Sequence, residues 1–233
     1  MIKSKFERKE IKYIISAYQH DDLLEALSGR MQPDEFGVTR ICNIYFDTED
    51  FRLIRESIEK PLYKEKLRLR TYGVPKDEDT AFIELKKKYN KVVYKRRETM
   101  SYYDAILFLV GREKPKNMNQ ILTEIDWVLD FYPGLAPAMD IFYDRRAYFG
   151  TEDPEIRMTF DTNIAYRMDD LDLRNGSYGD VLMDDSQYIL ELKITDAMPL
   201  WLSGIMDRLK IYPGSYTKYG NAYKKILLAG GIL

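Results

Sequence analysis

Apolar and polar residues alternate with a period of two along much of this chain, the mark of β-strands that bury one face. In YILELKIT, Leu190, Leu192 and Ile194 share one face, and Ile189, Glu191, Lys193 and Thr195 share the other. In IRMTFDTNI, Ile156, Met158, Phe160 and Ile164 oppose Arg157, Thr159, Asp161 and Asn163. LYKEKLRLRTY sets Leu67 and Leu69 against Lys64, Lys66, Arg68 and Arg70. FIELKKK sets Ile83 and Leu85 against Glu84, Lys86 and Lys88. Near the start, FERKEIKYII puts Arg8, Glu10 and Lys12 opposite Ile11, Tyr13 and Ile15. Lys95 and Arg97 follow the scheme less cleanly, because Arg96 and Glu98 take the opposite parity.

These patterns and the turn signals between them predict strands at Phe6–Ser16, Thr39–Asp47, Leu62–Tyr72, Thr80–Tyr89, Lys91–Met100, Ala136–Gly150, Ile156–Ile164 and Tyr188–Thr195. Asn90 is the expected turn of a hairpin. Helices are expected at Asp21–Arg30, Asp50–Ser57, Ser101–Gly111, Asn117–Phe131, Leu200–Lys210 and Tyr219–Leu228, with a surface loop or short hairpin at Asp169–Asp185. Eight strands without regular βαβ alternation predict an α+β, antiparallel architecture. No repeat or linker divides the chain, so residues 1–233 are read as a single domain.

A strand with one charged face ordinarily turns that face to water. The sign of the charge argues otherwise here. The polar faces carry Arg8, Lys12, Lys64, Lys66, Arg68, Arg70, Lys86, Lys88, Lys95, Arg97, Arg145, Arg157 and Lys193, against only Glu10, Glu84, Asp161 and Glu191. The whole chain has a net charge of −2, so positive charge is concentrated on these faces and negative charge elsewhere. Such segregation repels itself unless an anion occupies the basic surface. Eight antiparallel strands can close into a barrel. Helices on the outside would cover the apolar faces, and the charged faces would line a tunnel for a charged substrate. Arginine grips phosphate with a two-pronged fork and lysine adds point charge. Glu10, Glu84 and Glu191 offer hard oxygen ligands for Mg²⁺ or Mn²⁺.

Composition removes several alternatives. The chain has 233 residues, 45% hydrophobic and 32% charged, which suits a globular core. One histidine, His20, expected near a helix cap, leaves no multi-histidine zinc site. One cysteine, Cys42, permits no internal disulfide and fits a reducing compartment; it is expected in the core. The near-neutral net charge argues against general coating of nucleic acid. No glycine-rich GxxxxGK[ST] loop is present. With neither a secretory signal nor an apolar run of about 18 residues, the expected location is cytoplasmic, and any coupling to a membrane would need a partner protein.

The ordered pieces RKEIKY, NIYFDT, KLRLRTYG, FIELKKK, YKRRE, YDRRAY, IRMTFDT, YILELKI and YTKYG span nearly the whole chain. Together they resemble the triphosphate tunnel metalloenzymes (the CYTH-like superfamily), and within them the VTC domain, the polyphosphate polymerase domain of the vacuolar transporter chaperone family. The resemblance implies an eight-stranded antiparallel tunnel, a divalent metal cofactor, and transfer of the γ-phosphate of ATP onto a growing polyphosphate chain. The same residues would serve a triphosphatase, and a catalytically silent polyphosphate-binding module is a further alternative. Arg68, Arg70, Arg145, Arg157 and Lys193 are the expected catalytic positions. Arg8, Lys12, Lys66, Lys86, Lys88, Lys95, Arg97 and Lys218 are expected to hold substrate. Glu191 is the expected main metal ligand, with Glu10 and Glu84 beside it, and Asp161 either joins them or orients an arginine. Where the superfamily opens with ExExK, this chain has Arg8-Lys9-Glu10-Ile11-Lys12. That exchange removes one metal ligand, adds a phosphate contact, and favours the polymerase reading over the hydrolytic one.

Overall fold

A computed structural model describes residues 8–59, 61–90, 92–195 and 197–230. Nine strands and six α-helices follow in the order β1 (Arg8–Ser16), α1 (Ala17–Ala26), β2 (Met31–Asp47), α2 (Arg52–Glu59), β3 (Tyr63–Tyr72), β4 (Thr80–Tyr89), β5 (Val92–Ser101), α3 (Tyr102–Leu109), α4 (Gln120–Phe131), β6 (Ala136–Gly150), β7 (Arg157–Arg167), β8 (Asp180–Met183), β9 (Gln187–Thr195), α5 (Leu200–Arg208) and α6 (Lys218–Leu228). A single 3₁₀ turn, Leu173–Asn175, precedes β8. The chain forms two compact units from interleaved segments, one of residues 1–39, 143–164 and 181–217, the other of 40–142, 165–180 and 218–233.

The first unit is built on β1, β9 and β7, paired antiparallel. Their apolar faces carry Tyr13, Ile15, Leu190, Leu192, Met158 and Phe160 into a core closed by Leu23 and Leu27 and by Leu202 and Met206 of α5. The second unit pairs β2, β3, β4 and β5 antiparallel. Its core sets Leu67, Leu69, Ile83 and Leu85 against Tyr102 and Phe108 of α3 and Ile125 and Val128 of α4. In each unit, helices cover the apolar sheet face; on the charged face of the second unit α6 packs at the β2 edge, where Tyr219 stacks on Tyr45 at 4.7 Å and donates to Asp47. Cys42 is buried in the second core.

Strand pairing begins at β1 and ends at β5, in the order β1-β9-β7-β6-β2-β3-β4-β5, with β8 added to β7. The antiparallel α+β reading holds. The closed eight-stranded barrel does not form among the described residues: β1 and β5 end the strand path without pairing with each other, the far side of β1 makes only an isolated bridge from Lys12 to Gly214, and a ninth strand joins β7. Period-two patterning specifies faces, but closure depends on which edges meet, and no parity encodes that.

Local chemistry moved several element ends. The first helix begins at Ala17, where Ser16 and Gln19 form a capping box. His20 therefore lies inside α1 and not at its cap. It is buried, stacked on Tyr188 at 4.1 Å and edge-on to Phe160 at 4.9 Å. β2 starts eight residues before its expected start at Thr39. Its first half, MQPDEFGV, contains Pro33 and Gly37 and is largely exposed, so it carries no burial alternation to read. Asp47 ends β2 by accepting the backbone N–H groups of Thr48, Leu53 and Ile54 and the hydroxyl of Tyr219, which fixes the start of α2. The off-parity residues of β5 also have partners. Arg96 pairs with Glu124 of α4 at 3.1 Å, and Glu98 accepts from Asn119 at 2.6 Å.

Candidate functional site: two carboxylates ringed by cations

In the second unit, strand register aligns Arg68 with Glu84 and Glu84 with Arg97, and aligns Lys66, Lys86 and Lys95 in the neighbouring row. The Glu84 carboxylate is buried at the centre of this face. Arg68 donates to it through Nε at 2.7 Å, and Arg97 through Nε at 2.8 Å and Nη2 at 2.5 Å. Lys95 Nζ lies 2.7 Å away and Arg70 Nε 3.8 Å. Burial alone would raise this carboxyl, but Arg68, Arg70 and Lys95 hold it far below the usual carboxylate range. Arg70 also donates to the buried side chain of Asn43 at 3.0 Å, and Asn43 donates to the Ile141 carbonyl at 3.0 Å. Arg68 Nη1 reaches the Tyr45 hydroxyl at 3.2 Å. Burial would raise that phenol, yet Arg68, Lys66 and Arg70 together bring it down to about 8. Around this one carboxylate the strand register gathers four cations.

Arg68 and Arg70 both reach the buried Glu84 carboxylate, Arg68 at 2.6 Å and Arg70 at 3.8 Å, which ties them into the sheet. Lys88 sits one row further out, opposite Lys64, and Lys218 opens α6 outside the β3–β5 register.

In the first unit, register aligns Lys12 with Glu191 and Glu191 with Thr159; it aligns Glu10 with Lys193 and Lys193 with Arg157. Glu191 lies 2.6 Å from Lys193 Nζ and 3.6 Å from Lys12 Nζ, and Lys12 Nζ is also 3.6 Å from Glu10. Burial would raise the Glu191 carboxyl, but Lys193 and Lys12, with Arg145 behind them, pull it down to about 2. Arg145 gives its fork to Asp161, Nε at 2.6 Å and Nη2 at 2.7 Å. Asp161 thus orients Arg145. Arg157 is exposed beside Lys193. The Arg8 backbone pairs with Thr195, and its side chain lies outside the described residues.

A depressed carboxyl contributes stability above its unfolded value near 4.5, and loses it as pH falls through the folded value of about 2. Stability measured by denaturant titration at successive pH values is expected to fall between about pH 4.5 and 2. Glu191→Gln should flatten that slope. An unchanged slope in the variant would contradict the pairing.

Among the described residues, no three His, Cys, Asp or Glu side chains group to hold a metal ion. Both Glu84 oxygens are held by cations at 2.8 Å or less. Glu191 also faces cations on both oxygens, but Lys12 stands 3.6 Å from its Oε2 and 3.6 Å from Glu10, and this looser contact makes Glu10 and Glu191 the carboxylates best able to take a metal ion. Thr159 Oγ1, buried in the row of Glu191, has no hydrogen-bond partner among the described residues. Two carboxylates and a spare hydroxyl are a hard-oxygen donor set that fits Mg²⁺ or Mn²⁺ when phosphate oxygens complete it.

The parity of the strands did not bring out Asn43, Tyr45 or Thr159 as site residues. Asn43, Tyr45 and Asp47 alternate along β2, which is the signal that was available.

The VTC domain family model matches residues 7–227. Among solved structures, a Bacillus halodurans protein described provisionally as an adenylate cyclase shares the fold, with a TM-score of 0.55 and 16% identity over 90% of this chain and 95% of that one. A Vibrio parahaemolyticus protein with the same description gives a TM-score of 0.45 and 16% identity over 96% and 98% of the two chains. Comparison with curated protein sequences finds no match. No helix among the described residues is long and apolar enough to cross a membrane.

Proposed function

Since this chain belongs to the VTC domain family, we propose that it transfers the γ-phosphate of ATP to the end of a growing inorganic polyphosphate chain. The observation that carries the reading is the buried Glu84 carboxylate facing four cations. A fold that gathers such an excess of arginine and lysine is stabilised by an anion of several charges, and a run of phosphates supplies it. Arg68, Arg70, Lys95 and Arg97, held in place by Glu84, bind phosphate oxygens, with Lys66, Lys86 and Lys88 extending the track and Lys218 adding a contact from α6. Lys12, Lys193, Arg145 and Arg157 do the same in the first unit, and the strand pattern of the sequence adds Arg8 to them as a proposed contact.

Glu191 and Glu10 would hold the divalent metal, which when bound supplies charge neutralisation at the phosphates. The rest is positioning. Phosphoryl transfer needs little covalent participation from protein groups and depends on alignment and on stabilised charge. The terminal oxygen of the acceptor attacks the γ-phosphorus in line, the bond to the β-phosphate oxygen breaks, and ADP leaves. Asp161 keeps the Arg145 fork in plane, and Glu84 does the same for Arg68 and Arg97. A closed tunnel is not required for these contacts, because each cluster is complementary to phosphate in its own right.

Calorimetric titration with tripolyphosphate tests the binding half of this reading. Wild-type protein is expected to bind, more weakly as salt rises, and Arg68→Ala should lose about tenfold or more in affinity, the worth of a charge-assisted hydrogen bond. Absence of binding, or equal affinity in the variant, would speak against it.

A further inference from the structure

One end of the β3–β4–β5 sheet is unusual for a strand terminus. Register aligns Tyr63 with Tyr89 and Tyr89 with Val92, and aligns Lys87 with Tyr94 in the second row inward. Tyr63, Tyr89, Val92 and Tyr94 are all exposed. They share the helix-facing side of the sheet, beyond the part that the core covers. On the adjoining surface of α4, Trp127 and Phe131 are about half exposed and stack on each other at 4.6 Å. Lys87 Nζ lies 5.7 Å from the Trp127 ring and joins the two groups. The cores of both units are closed without these six side chains. An exposed aromatic group of this extent marks an interaction surface.

The surrounding charge points to the occupant. Seven of the twelve residues from Lys86 to Arg97 are basic and none is acidic. On the neighbouring helix, Glu124 is paired with Arg96 and Asp130 with Arg112. Aromatic rings with valine at a turn and lysines around them form the composition of a membrane-interface contact: rings settle at headgroup depth, and lysines meet anionic headgroups. Single-stranded nucleic acid fits less well. It needs flat rings open to stacking, whereas Trp127 and Phe131 cover each other and Val92 offers no ring.

We propose that the β4–β5 hairpin end, together with Trp127 and Phe131, docks on the surface of a bilayer containing anionic lipid. The contact is peripheral, and it gives the chain a membrane attachment of its own, without the partner protein that the sequence suggested. It is independent of the catalytic reading.

The test is co-sedimentation with phosphatidylcholine vesicles, with and without phosphatidylserine, for the wild type and for the variant carrying Val92→Ser and Trp127→Ser. Both substituted side chains are exposed, and unchanged circular dichroism and thermal midpoint will confirm the variant's fold. Wild-type protein should sediment only with phosphatidylserine vesicles, with the emission of Trp127 shifting to the blue. The variant should partition about tenfold or more weakly, since it loses apolar area but no charge. Failure to sediment, equal partitioning of the variant, or preference for single-stranded RNA over vesicles would overturn the proposal. So would a dimer that the same substitutions disperse in a protein that ignores vesicles, which would give the surface to a second copy.

Discussion

Glu84→Ala is expected to destabilise the protein by about 3–5 kcal/mol, lowering its thermal midpoint by roughly 10 °C. Glu84 is 2% exposed and is the shared partner of Arg68, Arg70, Lys95 and Arg97. Removing it leaves four positive groups close together on one sheet face without the carboxylate they share. The loss should be larger than for Arg68→Ala, because that substitution leaves Glu84 with three cations. Tripolyphosphate should restore much of the lost midpoint in Glu84→Ala, since a bound polyanion takes over the neutralising role and binds only the folded state. Scanning calorimetry with and without tripolyphosphate reads both effects. A variant as stable as the wild type would show that Glu84 does not organise the face. A destabilised variant that tripolyphosphate leaves unchanged would show that the cations do not bind phosphate.

Glu191→Gln should abolish metal-dependent turnover, by roughly 10²–10³-fold or more, with a much smaller effect on folding. The amide keeps the shape of the side chain, and it loses the charge that Lys12 and Lys193 meet and that a divalent metal requires. Turnover of ATP measured across Mn²⁺ concentrations separates the two possible roles. If Glu191 holds the metal, added Mn²⁺ will not rescue the variant to the wild-type rate, while tripolyphosphate binding without metal persists. If Glu191 only balances Lys12 and Lys193, turnover will survive with altered affinity for phosphate.

Much of this arrangement could be read from parity. The alternation in LYKEKLRLRTY and FIELKKK placed Arg68, Arg70 and Glu84 on one face, and the observed register sets Arg68 directly across from Glu84. The same holds for Lys12, Glu191 and Thr159 in the first unit. Parity is a local property, and it survives folding when one face is buried. What it could not convey was partnership. A lone glutamate among bases has the same pattern whether it binds a metal or serves as their counter-ion, and for Glu84 only side-chain geometry shows that four cations surround it. Asp161 is a similar case, and its two contacts to Arg145 give it an orienting role. Strand closure was out of reach for another reason, since which edges meet depends on contacts distant in sequence. The exposed first half of β2 has no alternation to detect, and the early start of α1 rests on one capping pair, Ser16 and Gln19.

The central claim is that this basic, carboxylate-organised surface extends a phosphate chain. The most direct measurement is incubation of the purified protein with ATP and Mn²⁺, followed by gel resolution of the products and quantitation of ADP. Polyphosphate is expected to lengthen with time, with one ADP released for each phosphate added. Orthophosphate as the sole phosphate product, or ATP left intact, would contradict it.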